Sequence, residues 1–181
     1  MTEGWLPFAD KYINHDSELR RQAAELMTAV NKGKINYPEF IKAVSAMAGV
    51  DEATAYKQIM RNAPNRRLLD YIRKTLKPTY KIGLLSNTGR NRLNELLTEE
   101  DLRLFDALSL SFETGFLKPQ PEAYRAAAAS LQVPARNCIV IDDQEKRCQG
   151  ATAVGMRSIV YQNFDQLKRD LESVIAADGH M

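Results

Sequence analysis

The spacing of apolar residues changes near residue 64. Upstream it follows the helix period. Leu19, Ala23, Leu26, Met27 and Val30 form one stripe, which predicts a helix capped by Asp16 and running to about Asn31 before Gly33. A second stripe of Phe40, Ile41, Val44 and Met47 opens at Asn36 or Tyr37, carries Pro38 in its first turn and stops at Gly49. Asp51 caps a third helix through about Met60. Residues 1–64 therefore read as a small all-helical cap region.

Downstream the rhythm alternates. A helix from Asn65, with Leu68, Leu69, Ile72 and Leu76 on one face, is closed by Pro78, and Tyr80 to Leu85 is an apolar strand. Residues 91–97 and 99–104 read as helices and 108–112 as a short strand. Then follow a helix over 121–131, a strand over 137–141, a helix over 144–154 ended by Gly155, a strand over 158–161 and a helix over 164–175. Strands alternating with helices of this length predict an α/β core, a parallel sheet with helices on both faces, over residues 65–178. Gly179-His180-Met181 resembles a cloning remnant and carries no weight in the fold.

Such sheets bind ligands beyond the carboxyl ends of their strands. Three segments put polar residues there: KIGLLSNTG (81–89), GFLKPQPEAY (115–124) and CIVIDDQEKR (138–147). Taken alone, Ser86-Asn87 is an ordinary turn or helix cap, and Lys118-Pro119 an ordinary surface turn. Asp142-Asp143 says more. Two like charges at the end of the apolar Ile139-Val140-Ile141 run repel one another, and a bound cation relieves the repulsion. The plain alternative is a helix starting at Gln144, since acids favour that position. The order of the three sets matters most. A hydroxyl to hold phosphoryl oxygens, an ammonium to balance charge and a carboxylate pair to hold a divalent cation are what phosphoryl transfer needs.

On these segments the sequence resembles the haloacid dehalogenase-like hydrolase superfamily. LLSNTG is similar to its second motif, LKPQPEAY to its third and VIDDQEKRCQGATAVGM to its fourth, while NKGKINYPEFIKAV resembles its small helical cap. The resemblance implies a Rossmann-like core and magnesium-dependent hydrolysis of a small phosphorylated metabolite. It implies that Ser86 and Asn87 bind the phosphoryl group, with Thr88 and Gly89 as further substrate contacts. Lys118 would neutralise nucleophile and substrate, and Asp142 would ligate Mg2+ with Asp143 direct or through water. Gln120, Gln144 and Arg147 depart from the family pattern, which often carries Asp, Ser and Asn there. The larger departure is the first motif, a strand ending in the nucleophilic Asp. Ahead of the cap stands only MTEGWLPFADKY, in which Asp10 reads as a helix residue. The fold is thus expected without its first, nucleophile-bearing strand, and the chain is expected to be inactive by itself. A gap left beside the 138–142 strand is expected to close directly or to be filled by strand complementation or self-association. The alternatives are a non-catalytic binding module on the same fold and a dehalogenase-branch hydrolase, for which the acidic pair is unexpected. A receiver domain is disfavoured because its acidic pair comes early in the chain.

Composition narrows the partners. With 44% apolar and 27% charged residues and a formal net charge of +2, the chain is an ordinary globular one. No basic block points to nucleic acid. No apolar run approaches the roughly 18 residues of a membrane span, and no secretory leader is legible, so a cytoplasmic location is expected. Cys138 and Cys148 read as packed thiols.

Overall fold

The computed structural model describes residues 4–61, 63–90 and 92–178. Four helices come first: α1 (Trp5–Tyr12), α2 (Ser17–Asn31), α3 (Tyr37–Ala48) and α4 (Glu52–Ile59). Then come α5 (Arg66–Tyr71, running on as a π-helical turn, Ile72–Leu76), β1 (Gly83–Ser86), α6 (Arg92–Leu96), α7 (Glu99–Leu102), β2 (Ala107–Leu110) and α8 (Ser111–Thr114). The chain ends with α9 (Pro121–Leu131), a 3₁₀ turn (Ala135–Asn137), β3 (Ile139–Asp142), α10 (Glu145–Thr152), β4 (Arg157–Val160) and α11 (Phe164–Asp178). Asn91, with which the sequence opens α6, and Gly179-His180-Met181 lie outside the described residues.

The chain forms two compact units. The first takes the residues up to Pro64 with Ser86–Arg103 and Leu110–Phe116. Its helices start where the sequence places caps. The Asp16 carboxylate accepts from the Glu18 and Leu19 N–H groups, and Asn36 and Glu39 form a reciprocal capping box at α3. Gly49, at φ 65°, ends α3 in the left-handed conformation that glycine adopts without strain. Phe8, Ile13, Val30, Phe40, Val44 and Ile59 are fully buried and form the bundle core. Trp5 joins them, its ring 5.4 Å from that of Phe40. Residues 5–12 are therefore helix, held by the bundle, and Asp10 sits exposed on it with Asn14 donating to its carboxylate at 2.6 Å.

The second unit takes Asn65–Leu85, Leu104–Ser109 and the residues from Leu117 onward. Strands β3 and β4 pair in parallel, with Ile139 opposite Arg157 and Asp142 opposite Val160. One apolar layer (Leu76, Ile159, Leu167, Leu171) lies on the α5 and α11 side, and another (Tyr124, Ala128, Ala151, Met156) on the α9 and α10 side. Ile82 packs with Ile139 and Ile141 in the first layer, and Leu85 with Val140 in the second.

Three expectations are corrected. Strand β1 begins at Gly83 rather than Tyr80, because the Ile82 N–H donates to the Asp106 carboxylate at 2.7 Å. The strand expected over 108–112 turns at Ser111 into α8, where the Ser111 hydroxyl donates to the Asn31 carbonyl at 2.6 Å. Direct closure beside β3 does not occur among the described residues: β1 pairs with β2 and β3 with β4, as two separate two-stranded sheets. Leu84, Leu85, Val140 and Ile141 stay half-buried.

Candidate active site

The candidate residues fall in two sets, one in each unit. In the second unit β3 ends at Asp142, whose side chain is 3% exposed. Lys118 lies in the turn before α9, tightened by the Leu117 N–H donating to the Gln120 side chain at 2.8 Å. A Cβ on Gly150 would stand 2.7 Å from the Pro119 carbonyl, so glycine lets α10 approach this turn. The Lys118 Nζ is 2.5 Å from Asp142 Oδ2. On the other side, Arg147 stands 3.4 Å from Asp142 Oδ1, and the Gln144 N–H donates to that oxygen at 3.0 Å. The Tyr124 hydroxyl donates to the Arg147 carbonyl at 2.6 Å and fixes the first turn of α10.

Burial alone would push the Asp142 carboxyl up, but the Lys118 ammonium, the Arg147 guanidinium and the Gln144 N–H outweigh it and hold the group below the usual aspartate range. Burial pulls Lys118 down from the ordinary lysine value, and Asp142 offsets only part of that. Burial also pushes the Tyr124 hydroxyl up to about 12, with Asp142 adding to it. The arrangement is a fixed carboxylate clamped between two cations. Asp143 points outward, its side chain 72% exposed and 3.8 Å from Arg147.

In the first unit Ser86 ends β1, and Asn87-Thr88-Gly89 follow. The Thr88 N–H donates to Ser111 Oγ at 2.9 Å, and the Gly89 N–H to the Tyr37 hydroxyl at 3.4 Å. Gly89 packs so closely that a Cβ would stand 2.8 Å from the Val30 carbonyl. Ser86, Asn87 and Thr88 line a cavity of about 80 Å³ with Asn31, Tyr37 and Arg92. Arg92 is buried, with NH1 2.8 Å from Glu95 and NH2 donating to the Met60 carbonyl at 2.9 Å. A larger, open concavity of about 480 Å³ beside β4, lined by Glu145, Cys148, Gln149, Thr152 and Ser158, holds none of the candidate residues.

Arg92 escaped the reading of the sequence, and Arg147 entered it only as a departure from the family pattern, because each looks like a solvated helix cation. The available signal was position: Arg92 follows SNTG closely, and Arg147 follows the acidic pair by one helical turn.

Magnesium is held by one or two carboxylates, its shell completed by water and phosphate oxygens. Asp143, with open oxygens, and the adjacent Asp142 fit that donor set. Among the described residues no third His, Cys, Asp or Glu joins them to build a closed metal site. Arg147 puts a fixed positive charge against both acids, which weakens a cation there.

Comparison with known proteins gives the family. The family described as a haloacid dehalogenase-like hydrolase matches residues 7–155, and the chain belongs to that family. It is 33% identical over 81 residues to Flavin mononucleotide hydrolase 1 of Arabidopsis thaliana, covering 43% of this chain and 33% of that protein. It is 32% identical over 102 residues to Phosphatase MT3486 of Mycobacterium tuberculosis, covering 52% of this chain and 46% of that one. The chain spans less than half the length of the curated relatives it matches. A family enzyme from Bacteroides thetaiotaomicron, solved with magnesium and inorganic phosphate, shares the fold at 24% identity and a TM-score of 0.64, over 78% of each chain. Among the described residues no helix is long and apolar enough to cross a membrane.

Proposed function

We propose that the chain carries the phosphate-holding and charge-balancing parts of a magnesium-dependent phosphate monoester hydrolase acting on a small phosphorylated metabolite. The observation that carries this reading is the buried Lys118–Asp142 pair at the carboxyl end of β3, with Asp143 exposed beside it. Burying an ammonium is costly, and a carboxylate that serves only packing has no need of two cations. Lys118 is held in place against Asp142, as a group that offsets a phosphoryl oxygen must be. Ser86 and Asn87 supply a hydroxyl and an amide for phosphoryl oxygens. Magnesium, when bound at Asp143 and Asp142, supplies further offset of charge on the phosphoryl group.

The attacking carboxylate is a separate matter. Asp10, the acid with apolar neighbours in the segment ahead of α2, sits exposed on α1. The residues described here therefore hold a phosphoryl group without a nucleophile of their own, and catalysis requires an aspartate supplied by a further strand. The helical course of residues 5–12 favours one second reading, a non-catalytic binding module.

Thermal unfolding tests the binding half of this reading. Magnesium and inorganic phosphate are each expected to raise Tm in a dose-dependent way, by mass action on the folded chain. Asp143→Asn is expected to remove the magnesium-dependent part. A folded chain with no magnesium-dependent shift at any concentration would remove the metal from the account.

A further inference from the structure

We infer that Ser111 is a positioning residue for the loop that carries Ser86 and Asn87, and that through it the loop is fixed to the turn between α2 and α3. The inference rests on the reading above that Ser86 and Asn87 hold phosphoryl oxygens, and it adds what holds those two residues. Ser111 is 2% exposed. Its hydroxyl accepts the Thr88 N–H at 2.9 Å and donates to the Asn31 carbonyl at 2.6 Å, with the Thr88 carbonyl at 3.2 Å as the longer alternative. A hydroxyl has one proton to give and two lone pairs, so a single atom joins the loop to the last residue of α2. A second tie stands one residue on, where the Gly89 N–H donates at 3.4 Å to the hydroxyl of Tyr37, the first residue of α3. That bond is long, but the packing around it is close: a Cβ on Gly89 would stand 2.8 Å from the Val30 carbonyl. Gly33, in the turn itself at φ 67°, lies against α8, and a Cβ there would stand 3.2 Å from the Phe112 Cβ.

Thr88 and Gly89 thus take a different part from the one the family resemblance implies. Both are buried, and their backbone N–H groups are committed to Ser111 and Tyr37. Their amides anchor the loop. Ser86 and Asn87, half-buried and immediately ahead of the anchors, are left to meet the substrate. A displacement of Thr88 passes to Asn87 through one peptide bond. Groups that hold a reacting phosphoryl work only in place, since a misplacement of about 1 Å can cost ~10²-fold. Alanine at 111 takes the partner from the Thr88 N–H and from the Asn31 carbonyl at once, and buried groups so stranded must move to find others.

The test reads the loop first in the wild type and then in two variants. In the isotope-labelled wild-type chain the Thr88 amide is expected to exchange with solvent far more slowly than an unbonded loop amide. Ser111→Ala, held at a temperature where it is folded, is expected to exchange that amide faster. It is also expected to lose about tenfold or more in affinity for inorganic phosphate, titrated without magnesium and read by calorimetry. Gly33→Ala, which presses on α8 and touches no proposed ligand position, is expected to weaken phosphate as well, and it decides the matter should Ser111→Ala not fold. The magnesium-dependent rise in Tm, which belongs to Asp142 and Asp143, is expected to survive in both variants. A fast-exchanging wild-type Thr88 amide, or wild-type phosphate affinity in the folded variant, overturns the inference and leaves Ser111 as the residue that turns β2 into α8. Either result, with phosphate still bound by the wild type, leaves the phosphatase reading standing. Phosphate that does not bind the wild type removes the reading and the inference together.

Discussion

Asp142 is the residue on which most of the second unit's polar chemistry converges. Replacing it with Asn leaves the Lys118 and Arg147 charges buried beside a neutral amide. Breaking a buried pair from one side costs about 3–5 kcal/mol, and urea denaturation of Asp142→Asn is expected to show a loss of that order. The pH dependence has a definite sign. The folded Asp142 carboxyl is held below its unfolded value, which is about 3.9. Its contribution is therefore present above that value and is lost as pH falls through the lower, folded one. The difference in stability between wild type and Asp142→Asn should shrink steadily as pH drops below about 4. A difference that stays constant down to pH 2 would contradict the ion-paired state. Arg147 makes a second prediction. With Asn in its place, the cation facing Asp142 and Asp143 is gone, and the magnesium concentration needed for a given rise in Tm should fall severalfold. The acidic pair was legible in the sequence because it closes the apolar run of β3, whereas Lys118 lies in the turn between α8 and α9 and was legible from its motif alone. The role of Arg147 was not, since burial on the inner face of α10 is set by Tyr124 and β3 rather than by neighbours in the chain.

At the scale of elements, helix caps were the most legible features, because Asp16, Asn36 and Asp51 act on N–H groups two or three residues away. Strand limits were less so. Ser111 reads as part of an apolar run, yet its hydroxyl reaches the Asn31 carbonyl from far along the chain and turns the backbone into α8. No local pattern encodes a contact eighty residues away. Gly150 carries a prediction of the same kind. Its helix approaches the Lys118-Pro119 turn so closely that an alanine Cβ would meet the Pro119 carbonyl at 2.7 Å. Backbone must move to relieve that contact. Gly150→Ala is expected to lower stability by roughly 1–3 kcal/mol, as overpacking does, and to weaken phosphate affinity through the displaced lysine. A crystal structure or a denaturation curve indistinguishable from wild type would show that the turn yields freely.

For the molecule as a whole, the parallel α/β core and the helical region were legible from periodicity, and the family from the order of its motifs. What periodicity could not show was the fate of the sheet. Ile82, just ahead of β1, and Leu85 within it join the two apolar layers that β3 also joins, yet β1 and β3 pair with different partners, in two two-stranded sheets rather than one closed sheet. Open strand edges accept an added strand. We propose that an apolar strand ending in Asp is what fits between them. Fused ahead of residue 5, such a strand should slow amide hydrogen exchange along β1 and β3. The account's central claim is that this chain holds a phosphoryl group but carries no attacking carboxylate. The most direct measurement is steady-state phosphate release from a generic monoester by the pure chain in saturating magnesium. The account predicts no turnover above background. Robust magnesium-dependent hydrolysis that disappears in Asp10→Asn would contradict it, and would make the exposed helix residue the nucleophile.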